Sequence, residues 1–489
     1  MQKHRFLAFD LGAESGRCVL GTLEPSKLRI RELRRFPNKM IQRDGHFHWD
    51  LDRLFREIKT GIRCAAEKQR SIDGIGIDTW GVDFGLVDRG GFLLEPPYAY
   101  RDPRTRGVLP KFFRRITPKR LYRLTGIQIM EINTLFQLYA LKLSRSPALA
   151  RADNLLFMPD LFNYLLTGVR SAEYTIATTS QLVDARTKDW CRGVFEALGV
   201  PVKLMAGIIP SGTAIGPLKR QTAEELSAPL IPVIATAGHD TAAAVAAVPA
   251  QGNDWAFISS GTWSLMGVES MRPFINDRSL KYNFSNEGGA AGTFRCLKNI
   301  TGLWLVQQCF ATGSGKIKIS YPALNALAAE AEPFRSFLDP DDPEFHNPPD
   351  MWRAFRKYFR ATKQKIPGAP GAIARSIYES LALKYRWVLE QLNDLLAGPI
   401  RKIHIVGGGS RNPLLCQFTA NATGLPVIAG PAEASAIGNI MIQALARNRI
   451  GSLAEARAII RGSFPLKLYE PIDLDIWSKA YERFRKLTQ

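Results

Sequence analysis

Four short segments of this 489-residue chain carry the residue types that phosphate and proton chemistry require. Moving a phosphoryl group calls for backbone N–H donors around phosphate oxygens, a cation to spread charge, and a base for the acceptor hydroxyl. The first segment is Asp10-Leu11-Gly12-Ala13-Glu14-Ser15-Gly16-Arg17. Gly12 and Gly16 tolerate positive φ, which lets successive N–H groups face one concavity. Asp10, at a strand end, suits Mg²⁺ held through its water shell, and Arg17 is long enough to meet a phosphate. A plain hairpin turn with a surface arginine accounts for the same residues. The second segment, Gly261-Thr262-Trp263-Ser264, offers N–H groups and the Thr262 hydroxyl. In the third, Val406-Gly407-Gly408-Gly409-Ser410, three glycines let a ligand approach the backbone where a strand gives way to a helix. A tight strand–helix turn explains it equally. The fourth, Gly238-His239-Asp240-Thr241, puts Asp240 where a helix N-cap belongs. Capping is a sufficient reason for an aspartate there. The functional reading is a general base kept ionised by the helix dipole, positioned but weak.

Other chemistries find little footing. The chain lacks GxSxG, HExxH, GxGxxG and GxxxxGK[ST], and its six histidines are scattered. The six cysteines, Cys18, Cys64, Cys191, Cys296, Cys309 and Cys416, show no zinc-ligand spacing, so reduced thiols in a cytoplasmic protein are expected.

The elements that must carry these segments are legible from periodicity. Strands are predicted over 5–10, 17–23, 28–36, 72–78, 231–236 and 402–406. Helices are predicted over 50–68, with Asp50 as N-cap, over 241–248 and over 412–423. The strand–turn–strand at 8–20 has an echo at 256–268, which suggests a duplicated unit. Pro/Gly punctuation at 248–253 divides the chain into expected domains 1–248 and 249–489, both mixed α/β.

Length and composition fit two globular cores. The sequence from Phe6 to Phe9 runs straight into Asp10 with no cleavage pattern, so no secretory leader is expected. The longest apolar stretch, 231–250, is interrupted by His239 and Asp240, so no membrane span is expected. Lys and Arg number 65 against 45 Asp and Glu, a net +20. Basic residues gather at 31–35, 101–123, 353–365 and 483–486 among core-type aromatics, without a nucleic-acid motif. They are read as a solvated surface that attracts anionic substrates, and no nucleic-acid partner is expected.

Further blocks complete the pattern. They are Gly-Ile-Asp-Thr-Trp-Gly-Val-Asp-Phe (76–84), Ala-Tyr-Arg-Asp-x-Arg-Thr (99–105), Met-Pro-Asp-x-Phe (158–162) and Glu-Tyr-Thr-x-Ala-Thr-Thr (173–179). Lys-Asn-Ile-x-Gly-Leu-Trp-Leu (298–305) and Pro-x-Glu-Ala-Ser-x-x-Gly-Asn-Ile (431–440) follow. With the four segments above, in this order, the chain resembles the FGGY carbohydrate kinases, and among them the members acting on L-rhamnulose. The resemblance implies an α/β actin-like ATPase fold, with two ribonuclease H-like domains and an active-site cleft between them. It implies ATP-dependent phosphorylation of L-rhamnulose at its 1-hydroxyl, with Mg²⁺, in a monomer or small homo-oligomer whose partners are sugar and ATP. Other ketoses or polyols, L-fuculose and L-xylulose, are alternatives, as is a non-catalytic nucleotide- or nucleic-acid-binding protein on this fold. By the same resemblance Asp240 is the proton acceptor, and Gly81, His239, Asp240 and Thr241 contact sugar. Ala13, Glu14, Ser15, Gly16, Arg17, Thr262, Asn299, Gln307 and Gly408 contact ATP. Asp10 faces Mg²⁺, and Trp80 is a candidate wall for the sugar's methyl group, with core packing as the other reading. Glu14, Leu161 and Asn421 depart from the family pattern.

Overall fold

Phe6, Leu7, Ala8 and Phe9 are apolar on both faces and fully buried, which is the signature of a strand covered on two sides. They form the centre of β1 (His4–Leu11) in a computed structural model that describes residues 3–69, 71–310, 319–345, 348 and 350–488. The chain divides into two units. The first comprises Met1–Pro249, Glu269–Cys296 and Ala434–Ser463; the second comprises Ala250–Val268, Leu297–Glu433 and Phe464–Gln489.

In the first unit β1 turns back into β2 (Ser15–Glu24) and β3 (Lys27–Pro37), both antiparallel steps. β4 (Gly74–Thr79) lies parallel to β1 on its other side. β5 (Thr213–Pro217) and β6 (Pro232–Ala235) complete the order β5-β6-β4-β1-β2-β3. β3 is the edge strand, and its exposed Arg29, Arg31, Arg34 and Arg35 discourage further strand pairing. The helix Leu51–Lys68 begins at Asp50, whose carboxylate accepts from Arg53 N at 3.0 Å, as predicted. It buries Leu51, Leu54, Ile58, Ile62 and Ala65, a stripe at helical spacing.

The helix Ala434–Ala446, nearly two hundred residues after this unit's sixth strand, packs on the same sheet. Gln443 Nε2 donates to the Leu7 carbonyl at 3.2 Å. The same helix lies against the short helix Asp240–Ala246, and Gly438 makes that approach possible: a Cβ there would overlap the Ala243 carbonyl.

In the second sheet β7 (Trp255–Ser260) and β8 (Trp263–Ser270) form a hairpin, flanked by β9 (Phe294–Thr301). β10 (Lys402–Val406) is parallel to β7, β11 (Val427–Ala429) is parallel to β10, and β12 (Lys467–Tyr469) is antiparallel to β11. The order β12-β11-β10-β7-β8-β9 repeats the six-strand order of the first sheet, with a seventh strand, Ser285–Gly288, added beyond β9. The echo between 8–20 and 256–268 is therefore the central hairpin of each sheet. Among the described residues no helix is long and apolar enough to cross a membrane.

Candidate active site

β1 and β4 are parallel with Asp10 opposite Asp78, so two carboxylates leave the sheet side by side at the ends of neighbouring strands. Asp10 is 4% exposed and Asp78 fully buried. Burial drives the Asp78 carboxyl far above the usual carboxylate range, and the charges of Asp10 and Asp240 push it further. Asn439, whose Nδ2 donates to Asp78 Oδ2, and the charge of Arg17 oppose this. The next strand, β6, delivers the third acid. Its chain passes through Thr236 to Gly238, whose carbonyl accepts from Thr79 N at 2.8 Å, and enters the helix at Asp240.

Here the structure corrects the sequence reading. The helix covers Asp240–Ala246 rather than 241–248, and His239 occupies the N-cap position without a side-chain capping bond. Asp240 is the first helical residue. Its Oδ1 accepts from Thr241 Oγ1 at 3.1 Å, and its side chain is 30% exposed. Burial raises its pKa, against the pull of His239 and with the push of Asp10, so it is a stronger base than the dipole argument predicted. His239 Nε2 lies 3.4 Å from Asp240 Oδ1, and its other nitrogen, Nδ1, lies 3.3 Å from Glu287 Oε2. Arg295, wholly buried, reaches Glu287 Oε2 at 3.1 Å and His239 Nδ1 at 3.1 Å. Burial alone would raise Glu287, but the His239 hydrogen bond and the Arg295 charge outweigh it and hold the carboxyl at about 2. Glu287 is thus a fixed anion behind the imidazole. Glu287, Arg295 and Asp78 went unassigned in the sequence; the one signal available was Asp78 closing the apolar run 74–77.

Gly81 converges on the same place, since a Cβ there would stand 3.4 Å from His239 Nε2. Trp80 is spoken for: it is 5% exposed, packs at a tilt against Trp49 with ring centroids 4.2 Å apart and donates Nε1–H to Asp83 at 3.0 Å, so core packing accounts for its ring. Two further expectations for the first loop change. Neither Gly12 nor Gly16 has positive φ, and Gly16 is required because Phe36 lies directly over it. Arg17 donates from Nε to Asp10 Oδ2 at 2.9 Å, so its guanidinium is engaged by the neighbouring carboxylate. Ala13, Glu14 and Ser15 form the half-buried tip of the turn, closed by Gly12 N to the Ser15 carbonyl at 3.0 Å. The Glu14 carboxyl is raised by burial, with Arg101 opposing.

Asp10 and Asp240 together make a negative field that Arg17 offsets in part. Among the described residues no three His, Cys, Asp or Glu side chains gather closely enough to ligate an ion directly. Oxygen donors in such a field fit a Mg²⁺ that keeps its water shell.

The second unit assembles its own cluster. The turn after β7 is bound by the segment leading into the helix Trp304–Phe310: Gly302 N and Trp304 N both donate to the Thr262 carbonyl at 3.1 Å, and Leu303 N to that of Gly261 at 2.9 Å. Thr262 and Gln307 are thereby drawn to one end of the sheet, with half-buried Asn299 on β9. The three glycines after β10 divide their work. Gly407 adopts φ +81° with Ser260 against it, and Gly409 has no room for a Cβ beside Ser260 Oγ. Gly408 is exposed, with open space where a Cβ would be. A short turn, Gly408–Arg411, then precedes the helix Pro413–Thr423, which Asn412 caps.

Solved structures share this architecture over almost the whole chain. A gluconate kinase from Lactobacillus acidophilus superposes with a TM-score of 0.82 at 15% identity, covering 99% of this chain and 98% of that one. A ligand-bound xylulose kinase from the same organism superposes at 0.80 and 16% identity, covering 99% and 97%. The fold is the actin-like ATPase fold of the sugar kinases. Sequence narrows this further. The N-terminal domain of the FGGY family of carbohydrate kinases matches residues 5–247 and the C-terminal domain of that family matches 256–447, and the chain belongs to this family. It is 49% identical over 483 residues to a rhamnulokinase of Bacteroides thetaiotaomicron, covering 99% of each chain. It is 42% identical over 469 residues to a rhamnulokinase of Oceanobacillus iheyensis, covering 96% of this chain and 99% of that one.

Proposed function

We propose that this chain transfers the γ-phosphoryl group of ATP to the 1-hydroxyl of L-rhamnulose, giving L-rhamnulose 1-phosphate and ADP in L-rhamnose breakdown. The bond from the γ-phosphorus to the bridging oxygen breaks, a bond from that phosphorus to the sugar O1 forms, and Asp240 takes the hydroxyl proton. The observation that carries the reading is the likeness to relatives named rhamnulokinase, 38–49% identical over 96–99% of this chain in the three cases from Bacteroides thetaiotaomicron, Oceanobacillus iheyensis and Bacillus subtilis.

In this reading Gly81, His239 and Thr241 hold the sugar in front of Asp240. A raised carboxyl, with Thr241 on one oxygen, is suited to accept a proton late in transfer, when positioning dominates. His239, backed by Glu287 and Arg295, steadies the base. Ala13, Glu14, Ser15, Gly16 and Arg17 line the phosphate side, and Thr262, Asn299, Gln307 and Gly408 take the rest of the nucleotide. Residues 1–248 would thus carry sugar and base, and residues 249–489 most of the ATP contacts. Asp10 would hold Mg²⁺ through water. Bound there, the ion would spread the charge of the phosphates. Six cysteines without a disulfide support a cytoplasmic setting.

The test is a panel of ketoses, L-rhamnulose, L-fuculose and L-xylulose, with ADP release coupled to a dye. The highest kcat/KM is expected for L-rhamnulose. A higher value for either of the others overturns the sugar assignment, and ATP-dependent turnover of none overturns the kinase reading.

A further inference from the structure

The block Glu173–Thr179 stands out in the sequence, yet none of its residues contacts sugar or ATP in the reading above. Its helix, Tyr174–Thr179, is buried throughout and two-faced. Tyr174, Ile176 and Ala177 join the apolar core beside it. Thr175, Thr178 and Thr179 recur at i, i+3 and i+4, which puts three hydroxyls on one buried face. A buried hydroxyl is costly unless both its donor and its acceptor capacity are used.

Each of these hydroxyls is used in the same way. Each spends its proton locally: Thr175 on Glu173 Oε2 at 2.6 Å, Thr178 on the Thr175 carbonyl at 2.9 Å, and Thr179 on the Ile176 carbonyl at 2.7 Å. Each then offers a lone pair to the backbone of another segment. Thr175 Oγ1 accepts from His239 N at 3.2 Å, Thr178 Oγ1 from Gly288 N at 2.8 Å, and Thr179 Oγ1 from Val82 N at 3.1 Å. Glu173 Oε2 adds Gly238 N at 2.9 Å. These contacts fall on or beside His239, next to Glu287, and next to Gly81. Val82 is the most telling, because a β-branched residue at φ +67° is strained and persists only where its surroundings enforce it. Thr179 fixes its N–H, and Thr134 Oγ1 fixes its carbonyl at 2.6 Å.

We propose that Glu173, Thr175, Thr178 and Thr179 are positioning residues, which register three segments of the active site, at Val82, Gly238–His239 and Gly288, against one another through main-chain N–H groups. The roles of Thr178 and Thr179 are separable. Thr179 sets the Gly81 segment and thereby sugar binding, whereas Thr178 sets the strand Ser285–Gly288, which carries Glu287, and thereby the His239–Asp240 base. This rests on the reading that Asp240 is the base and Gly81 a sugar contact.

The test uses the full chain with Thr178→Val and Thr179→Val, which keep shape and remove the acceptor, beside Thr178→Ser and Thr179→Ser, which keep it. Thr179→Val is expected to raise the KM for ketose about tenfold or more, with kcat and the KM for ATP within about twofold. Thr178→Val is expected to lower kcat about tenfold with both KM values nearly unchanged. Serine at either position restores wild-type behaviour. Amide exchange gives a readout that needs no substrate: Val82 N–H loses protection in Thr179→Val alone, and Gly288 N–H in Thr178→Val alone. Selective loss of protection together with the kinetic split on any ketose the enzyme accepts supports the proposal, even if that ketose is not L-rhamnulose. Loss of protection spread across the unit, parallel changes in every kinetic constant, or no effect of the valines overturns it. Should Thr178→Val fail to fold, Thr178→Ala replaces it under the same outcomes.

Discussion

Asn439 donates its Nδ2–H to Asp78 Oδ2 at 2.6 Å, joining residues 361 positions apart. The bond ties a helix from the end of the chain to the carboxylate beside Asp10. Asn439 is itself held, its Oδ1 accepting from Gln443 Nε2 at 2.7 Å and its carbonyl from Thr236 Oγ1 at 3.3 Å. The Ser-x-x-Gly-Asn motif near the C-terminus therefore serves the first unit's acids.

Burial and its two acidic neighbours push the Asp78 carboxyl far above the usual carboxylate range, which favours its protonated form. An amide mimics the protonated acid, so Asp78→Asn should fold with kcat within about threefold of wild type. A loss of about a hundredfold in a steady-state assay, with folding intact, would mean that Asp78 works as an anion.

Asp240→Asn removes the proposed base while keeping the Thr241 contact. A fall in kcat of about 10²-fold or more is expected, and turnover equal to wild type would take Asp240 out of the mechanism.

The pH profile carries a signed expectation for the same residue. Burial raises the Asp240 carboxyl, so the acid limb of kcat/KM should lie above the ordinary aspartate range. His239 opposes that rise. Its removal in His239→Gln should move the limb to higher pH, and a limb that stays in place or moves down would show that His239 does not act on the base.

Asp83 yields a stability prediction. Its carboxylate is wholly buried and accepts from Trp49, Trp80, Tyr100 and Gln137, yet burial outweighs these bonds and lifts its pKa to about 6. The unfolded chain releases this proton near ~3.9, so between the two values the folded chain binds more protons. The group's contribution is complete below about pH 4 and is withdrawn as pH rises through about 6, in total ~3 kcal/mol. Urea denaturation from pH 4 to pH 7 should show this decline, and Asp83→Asn should flatten it.

Gly438→Ala tests the helix crossing. In a free helix this change would stabilise by roughly 0.5–1 kcal/mol. Here the added methyl meets the Ala243 carbonyl, which is backbone and cannot turn aside, so a net loss of about 1–3 kcal/mol is expected from denaturant midpoints. A gain would show that the helices part freely.

Much of this site was legible from residue order alone. The strands around Phe6–Phe9 and Lys402–Val406, the Asp50 cap, the duplicated hairpins and the candidate base at Asp240 all follow from local signals: periodicity, turn chemistry and capping act over a few residues and leave their mark in the sequence. Tertiary structure decided what each polar side chain faces. It turned Arg17 onto Asp10, gave Gly16 a packing role under Phe36, moved the helix start so that Asp240 leads rather than caps, and brought Glu287, Arg295 and Asn439 to acids distant in sequence. No local pattern encodes those meetings, because burial and a neighbour's charge depend on where distant segments fold, and they alone determine whether a carboxyl such as Asp78 is an anion or a neutral acid.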